Sequence, residues 1–130
     1  MSNATDIQND FSHEIIGAAV EVQRVLGTGL DEGAYAAALA IELAEREIGF
    51  QRDVPLSAHY KQRDLGEVYR AGFVIEQSVI VELRAVEVLT ELHRAQVMAA
   101  LRLSGLKLGL LINFNVFPVV KGVHRIVSKP

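Results

Sequence analysis

Apolar residues at Ile15, Ala19, Val22 and Leu26 recur at the spacing that gathers side chains on one face of a helix. Ser12 reads as the N-cap of that helix, and Glu14 puts a negative charge in its first turn, where the helix dipole favours one. The "GTG" of Gly27 to Gly29 stops it. A second helix is predicted from about Asp31 to Glu47, with Ala36, Leu39, Ala40 and Leu43 inward and Gly49 closing it.

The hydrophobic period then falls to two. "VPLSAHY" reads as a strand, and its Pro55, which has no N–H to donate, belongs near the strand start or at a sheet edge. "KQRD" is a turn, and "EVYRAGFVI" and "VIVELRAV" are two further strands joined by the loop "EQS". Helical spacing returns from Thr90 to Leu103, with Leu92, Ala95, Ala99 and Leu103 on one face, and Ser104 and Gly105 end it. "KLGLLINF" is apolar on both faces, as a buried strand is, and "GVHRIV" is a short last strand. The order α-α-β-β-β-α-β-β predicts an α+β (mixed α/β) domain with helices packed on a central mixed sheet. There is no repeat, low-complexity segment or linker, so one domain is expected over 12–130, behind a flexible N-terminus at 1–11.

Charge intrudes on this pattern in "VIVELRAVE". Side chains of a strand alternate, so Glu82 and Arg84 share a face with Ile80 and Val86. A hairpin closed by "EQS" pairs Ile75 with Val79, which sets Gly72 opposite Glu82 and Arg70 opposite Arg84. Two more polar residues fall on apolar stripes. Glu32 lies in the first turn of the second helix, in line with Leu39 and Leu43 and beside Tyr35, and Gln96 sits between Leu92 and Ala99 on the third. A buried charge without a partner is costly, so several polar groups converging on one place would mark a site rather than a core margin.

Composition narrows the chemistry. The chain has 130 residues, half of them apolar, enough for a core without metal or disulfide staples. With no cysteine, disulfides, thiolate metal sites and cysteine nucleophiles are excluded, which fits a cytoplasmic setting. No apolar run is long enough to span a bilayer, so no membrane partner is expected. Net charge is −3, but all 16 acids precede residue 92, while Arg94, Arg102, Lys107, Lys121, Arg125 and Lys129 follow it with no acid among them. Such a basic third could meet phosphate, and Arg94, Arg102, Lys107, Lys121 and Arg125 are the nucleic-acid-binding candidates, unless folding scatters them over different faces. The exposed-looking "VFPVV" offers a surface for a homodimer.

The motif "GLDEGAY", with Gly29, Glu32 and Tyr35, resembles the one that names the GxxExxY family, a branch of the PD-(D/E)xK nuclease-like superfamily. The blocks "IIGAAVEVQRVLGTGL", "VYRAGFVIEQSVIVELRAVE" and "HRAQVMAALRLSGLKLGLLINF" are similar to the family's blocks in order, over about residues 12–127. The resemblance implies a nuclease-like core with a divalent-metal site on the sheet, where carboxylate oxygens hold Mg²⁺ or Mn²⁺ because these hard cations take oxygen ligands. An acid on the first hairpin strand and a Glu-x-Lys on the second would supply it, with the helix glutamate nearby; the metal would activate a water and stabilise phosphate charge.

This sequence departs from that pattern at the centre. Gly72 stands where the resemblance implies the acid, Arg84 where it implies the lysine, Gln23 where a histidine is common, and Ala100 where a tyrosine follows Gln96. Glu32, Tyr35, Glu82 and Gln96 remain. The site residues are therefore Glu82, Arg84 and Gln96, with Glu82 and Glu32 as weak or vanished metal ligands. An arginine is always protonated and suited to carboxylates, so Arg84 is expected to bridge Glu82, and Glu32 as well, in place of the cation. Three readings follow: a degraded site in a protein that binds nucleic acid or protein without cutting, an active metal-dependent nuclease using Glu82 and Glu32, or a homodimeric interaction module.

Overall fold

A computed structural model describes residues 10–128. Two helices, α1 (Ser12–Leu26) and α2 (Glu32–Glu45), precede three strands, β1 (Phe50–Tyr60), β2 (Arg63–Ile75) and β3 (Val79–Arg84). Helix α3 (Glu91–Ser104) leads to β4 (Leu108–Asn113), a 3₁₀ turn (Val119–Gly122) and β5 (Val123–Val127). The sheet order is β1-β2-β3-β4-β5, antiparallel except for the parallel pair β3/β4, which α3 connects. The predicted element order and mixed sheet therefore hold.

Helices cover both faces of the sheet. Ile15, Ala18, Ala19 and Val22 of α1 and Tyr35, Leu39 and Leu43 of α2 pack against Phe73, Val79, Val81, Leu110 and Ile112. On the other face Val97, Ala100 and Leu101 of α3 pack against Ala71, Val74, Ile80 and Leu111. Strands β3 and β4 are thus covered twice, which is why "LGLLI" in β4 and "VIV" in β3, up to Glu82, read as apolar on both faces. Each fully buried aliphatic side chain there stabilises the fold by about 1.5–3 kcal/mol relative to exposure.

The predicted hairpin register is the observed one: Ile75 pairs with Val79, Val74 with Ile80 and Phe73 with Val81. Pro55 lies on β1, an edge strand. Local details differ from expectation in several places. Phe11, at φ 72°, caps α1 in place of Ser12, whose hydroxyl and N–H both bond Asp10. Helix α2 ends at Glu45, and Glu47 rather than Gly49 takes the left-handed position, so that the Ile48 N–H returns to the Leu43 carbonyl. Only Lys61 and Gln62 form the first hairpin turn, both with positive φ, so Arg63 and Asp64 already belong to β2.

The inward face of α3 differs as well. Leu92 is 65% exposed and Ala95 is exposed, while Val97, Ala100 and Leu101 face the sheet. Both stripes have helical spacing, and pattern alone cannot tell which one a sheet will cover. Of the expected N-terminal segment, 1–9 lie outside the described residues. Asp10 ion-pairs with Arg125, and Phe11 packs against the α1/α2 core. No helix among the described residues is long and apolar enough to cross a membrane. In "VFPVV", Val119 is buried and Phe117 is 77% exposed.

Candidate functional site

Glu82 reaches toward the α3 side of the sheet and is 5% exposed. Its Oε2 accepts the Tyr69 hydroxyl at 2.9 Å and the Gly72 N–H at 3.1 Å. Burial pushes its carboxyl above the usual glutamate range; these two donors and the Arg84 charge oppose the shift, and Glu32 adds to it. Burial and the adjacent Glu82 charge raise the Tyr69 phenol in turn, so Tyr69 stays a proton donor.

Gly72 is where the carboxylate expected of the hairpin is missing, and the room is not vacant. A Cβ on Gly72 would lie 2.9 Å from Glu82 Oε1 and 3.4 Å from the Val81 carbonyl oxygen. Glu82 leans into the space that a side chain would need. The alternation of β2 slips here: Ala71 packs on the α3 side and Phe73 on the other. Across on β1, Asp53 takes φ 53°, a backbone conformation in which aspartate is among the more tolerant residues.

Arg84, with a side chain 17% exposed, spreads its guanidinium over four oxygens. Nη1 donates to the Leu83 carbonyl at 2.7 Å and stands 3.8 Å from Glu82 Oε1 and 3.9 Å from Glu32 Oε2. Nη2 reaches Gln96 Oε1 at 3.3 Å. The two carboxylate contacts exceed hydrogen-bond length, so the expected bridge is an ion pair held by charge, not a bidentate fork. Arg70 does not press on Arg84; it pairs with Glu67 at 2.8 Å on the rim.

Glu32 owes its place to its motif partners. Gly29 turns the α1–α2 loop at φ 97°, a region costly for any residue with a Cβ. Tyr35 is fully buried, donates its hydroxyl to the Gly27 carbonyl at 2.7 Å and accepts the Leu30 N–H at 3.3 Å. Its ring stacks on Phe114, centroids 4.6 Å apart, and the Phe114 N–H donates to the Arg84 carbonyl at 2.8 Å. Tyr35 therefore closes the loop that starts α2 and ties it to the end of β3. Glu32, the first residue of α2, is left 53% exposed at the cleft.

Glu32, Glu82, Arg84, Gln96 and Gly72 share an open cleft of about 420 Å³. Two of its walls, Asp53 and Tyr69, were not singled out from the sequence. The first strand was expected to open at Val54 and opens at Phe50, which left Asp53 outside it. Tyr69 shares a strand face with Ala71, but nothing in a period-two pattern says that its hydroxyl meets Glu82. The two other positions at which the sequence departs from the family pattern lie elsewhere. Gln23 is buried, donating to the Phe114 and Val116 carbonyls and accepting the Val119 N–H. Ala100 is buried beneath α3.

The donor set does not fit a resident divalent cation. Gly72 offers no side-chain oxygen, and Arg84 already sets a positive charge among the oxygens of Glu82, Glu32 and Leu83. No group of three or more histidine or acidic residues among the described residues is arranged to hold a metal ion. The basic candidates are not gathered either. Arg94 contacts His124, and Arg102 lies in the last turn of α3. Lys107 precedes β4, Lys121 lies in the 3₁₀ turn that packs on α1, and Arg125 bonds Ser12 and pairs with Asp10.

A family profile described as the PD-(D/E)XK nuclease superfamily matches residues 9–126. No curated protein and no solved structure matches the chain at a significant level.

Proposed function

The chain belongs to the PD-(D/E)XK nuclease superfamily, and from that premise we propose that it is a member whose metal-dependent phosphodiester hydrolysis is lost and which acts by binding. The finer placement is in the GxxExxY branch, supported by the joint work of Gly29, Glu32 and Tyr35 in setting the start of α2. The observation that carries the loss of activity is the guanidinium of Arg84 among the oxygens a metal would use, beside a glycine where an acid is needed. Mg²⁺ or Mn²⁺ would supply the activated water when bound, and this chain's residues do not assemble its ligands. The binding partner is nucleic acid or protein. Nucleic acid is favoured by Arg94, Arg102 and Lys107, which lie on α3 or just beyond it and have no acidic partner among the described ion pairs. Such binding would weaken steeply with salt. The cysteine-free composition suits work in the cytoplasm.

One observation favours a second reading, an active nuclease. Glu32, Asp53 and Glu82 all line the cleft, so carboxylates are present even though the expected one is gone. The deciding measurement is cleavage of labelled single- and double-stranded DNA and RNA in Mg²⁺ and in Mn²⁺, with Glu82→Ala as the control for contaminating nuclease. No cleavage is expected. Cleavage that disappears in Glu82→Ala would overturn the proposal and make Glu32 and Asp53 the replacement ligands.

A further inference from the structure

We propose that the outer face of α1 and α2 docks a second copy of this chain in a two-fold dimer. Helix α2 is apolar nearly all round: Glu32, Glu42 and Glu45 are its only charged residues. Tyr35, Leu39 and Leu43 serve the core. The opposite side carries Ala34, Ala37, Ile41 and Ala44, all exposed. They stand three, four and three positions apart, which is the spacing of a seam between paired helices. A helix that faces water on one side ordinarily turns charged and polar residues to it, and one that is apolar on both sides is ordinarily covered on both. Beside the seam, α1 and α2 enclose an open groove of about 160 Å³. It is lined by the buried Val22, the half-buried Leu26 and Ala38, and the exposed Val25 and Ile41. Val25 is 64% and Ile41 61% exposed, so two branched apolar side chains stand together in water at the mouth of an apolar groove.

The charges around the groove select the occupant. Glu21 pairs with Arg24 at 2.7 Å on α1, and Glu42 pairs with Arg46 at 2.7 Å at the end of α2. The two pairs are neighbours. The Arg24 hydrogen bond holds the Glu21 carboxyl below the usual glutamate range, and the Arg46 charge from the other helix adds to that effect. These four groups alternate in sign and sum to zero, so they offer nothing to the phosphates of a nucleic acid and no single sign to a basic or an acidic peptide. Turned over itself by a two-fold axis, the same rim brings glutamates of one copy toward arginines of the other, which is the self-complementarity that an isologous interface requires. Size agrees with charge. Antiparallel pairing of α2 with its copy sets Ala37 against Ile41 of the second copy and Ala34 against Ala44, so each branched side chain meets a small one.

The test is sedimentation velocity of the full chain from micromolar to submillimolar concentration, with circular dichroism to report folding. The wild type is expected to pass from monomer toward dimer over that range. Ile41→Lys, whose ammonium meets Glu45 one turn on, is expected to weaken the dimer at least about tenfold, because the new charge would be buried against an apolar partner. Ala37→Arg, on an exposed position that leaves the core alone, is the second variant and should block the close approach of the helices. It decides the matter if Ile41→Lys is unfolded. Glu21→Arg/Glu42→Arg should also weaken the dimer, and adding Arg24→Glu/Arg46→Glu, which restores the alternation of sign, should bring it back. Failure to bring it back overturns the two-fold arrangement. A wild type that stays monomeric throughout overturns the proposal and leaves the groove to a different protein. A dimer that survives in folded Ile41→Lys and Ala37→Arg overturns it too, and loss of that dimer in Phe117→Ser would move the interface to the turn before β5.

Discussion

The Glu82 carboxylate accepts the backbone N–H of Gly72 at 3.1 Å and stands 2.9 Å from where a Cβ on that glycine would begin. An acid at position 72 and the present pose of Glu82 exclude each other. The glycine removes one carboxylate and also lets the other fold back over the strand.

Gly72→Asp should therefore displace Glu82 and set two carboxylates side by side. A loss of about 1–3 kcal/mol is expected at pH 7, from overpacking and like-charge repulsion. The loss should shrink as pH falls and one of the pair takes a proton. Urea unfolding at two pH values checks it, and an equal loss at both would assign the effect to packing alone.

Stability should also depend on pH through Glu82 in the wild type. Its carboxyl is raised in the folded state, chiefly by burial, so the native protein holds a proton that the unfolded chain releases. Stability is then greater below this window and falls as pH rises from the ordinary glutamate value through the folded one. Glu82→Gln should flatten that part of the profile. A profile unchanged by the substitution would place the proton elsewhere.

Tyr35→Phe keeps the stack on Phe114 and deletes the hydroxyl that serves Gly27 and Leu30. The buried carbonyl and N–H left behind should cost about 1–2 kcal/mol. Urea unfolding of the wild type and Tyr35→Phe checks it. An unchanged stability would mean that the loop closes without the hydroxyl.

Gln23→Leu removes two donors and one acceptor that pin Phe114, Val116 and Val119. With these backbone groups unsatisfied, a loss of at least about 2 kcal/mol is expected. A folded Gln23→Leu protein should bind nucleic acid as the wild type does, measured by fluorescence anisotropy, since Gln23 lies outside the cleft.

The sequence by itself determined the element order, the hairpin register and the meeting of Gly72 with Glu82. Those follow from short-range rules: a period of two or of 3.6, and a loop whose length fixes which residues pair. Glu32, Glu82, Arg84 and Gln96 were legible as a site because each put a polar group on an otherwise apolar stripe. The tertiary structure alone decided the rest. It chose Val97, Ala100 and Leu101 as the buried face of α3 over an equally periodic stripe, because only docking on the sheet tells two such faces apart. It brought Asp53 to the cleft through a left-handed residue on an edge strand, and sent Gln23 to a distant loop. It also set the reach of Arg84 to Leu83, Glu82, Glu32 and Gln96, four residues from two helices and one strand. Distances between groups far apart in the chain are fixed by how whole elements pack, and no local pattern encodes them.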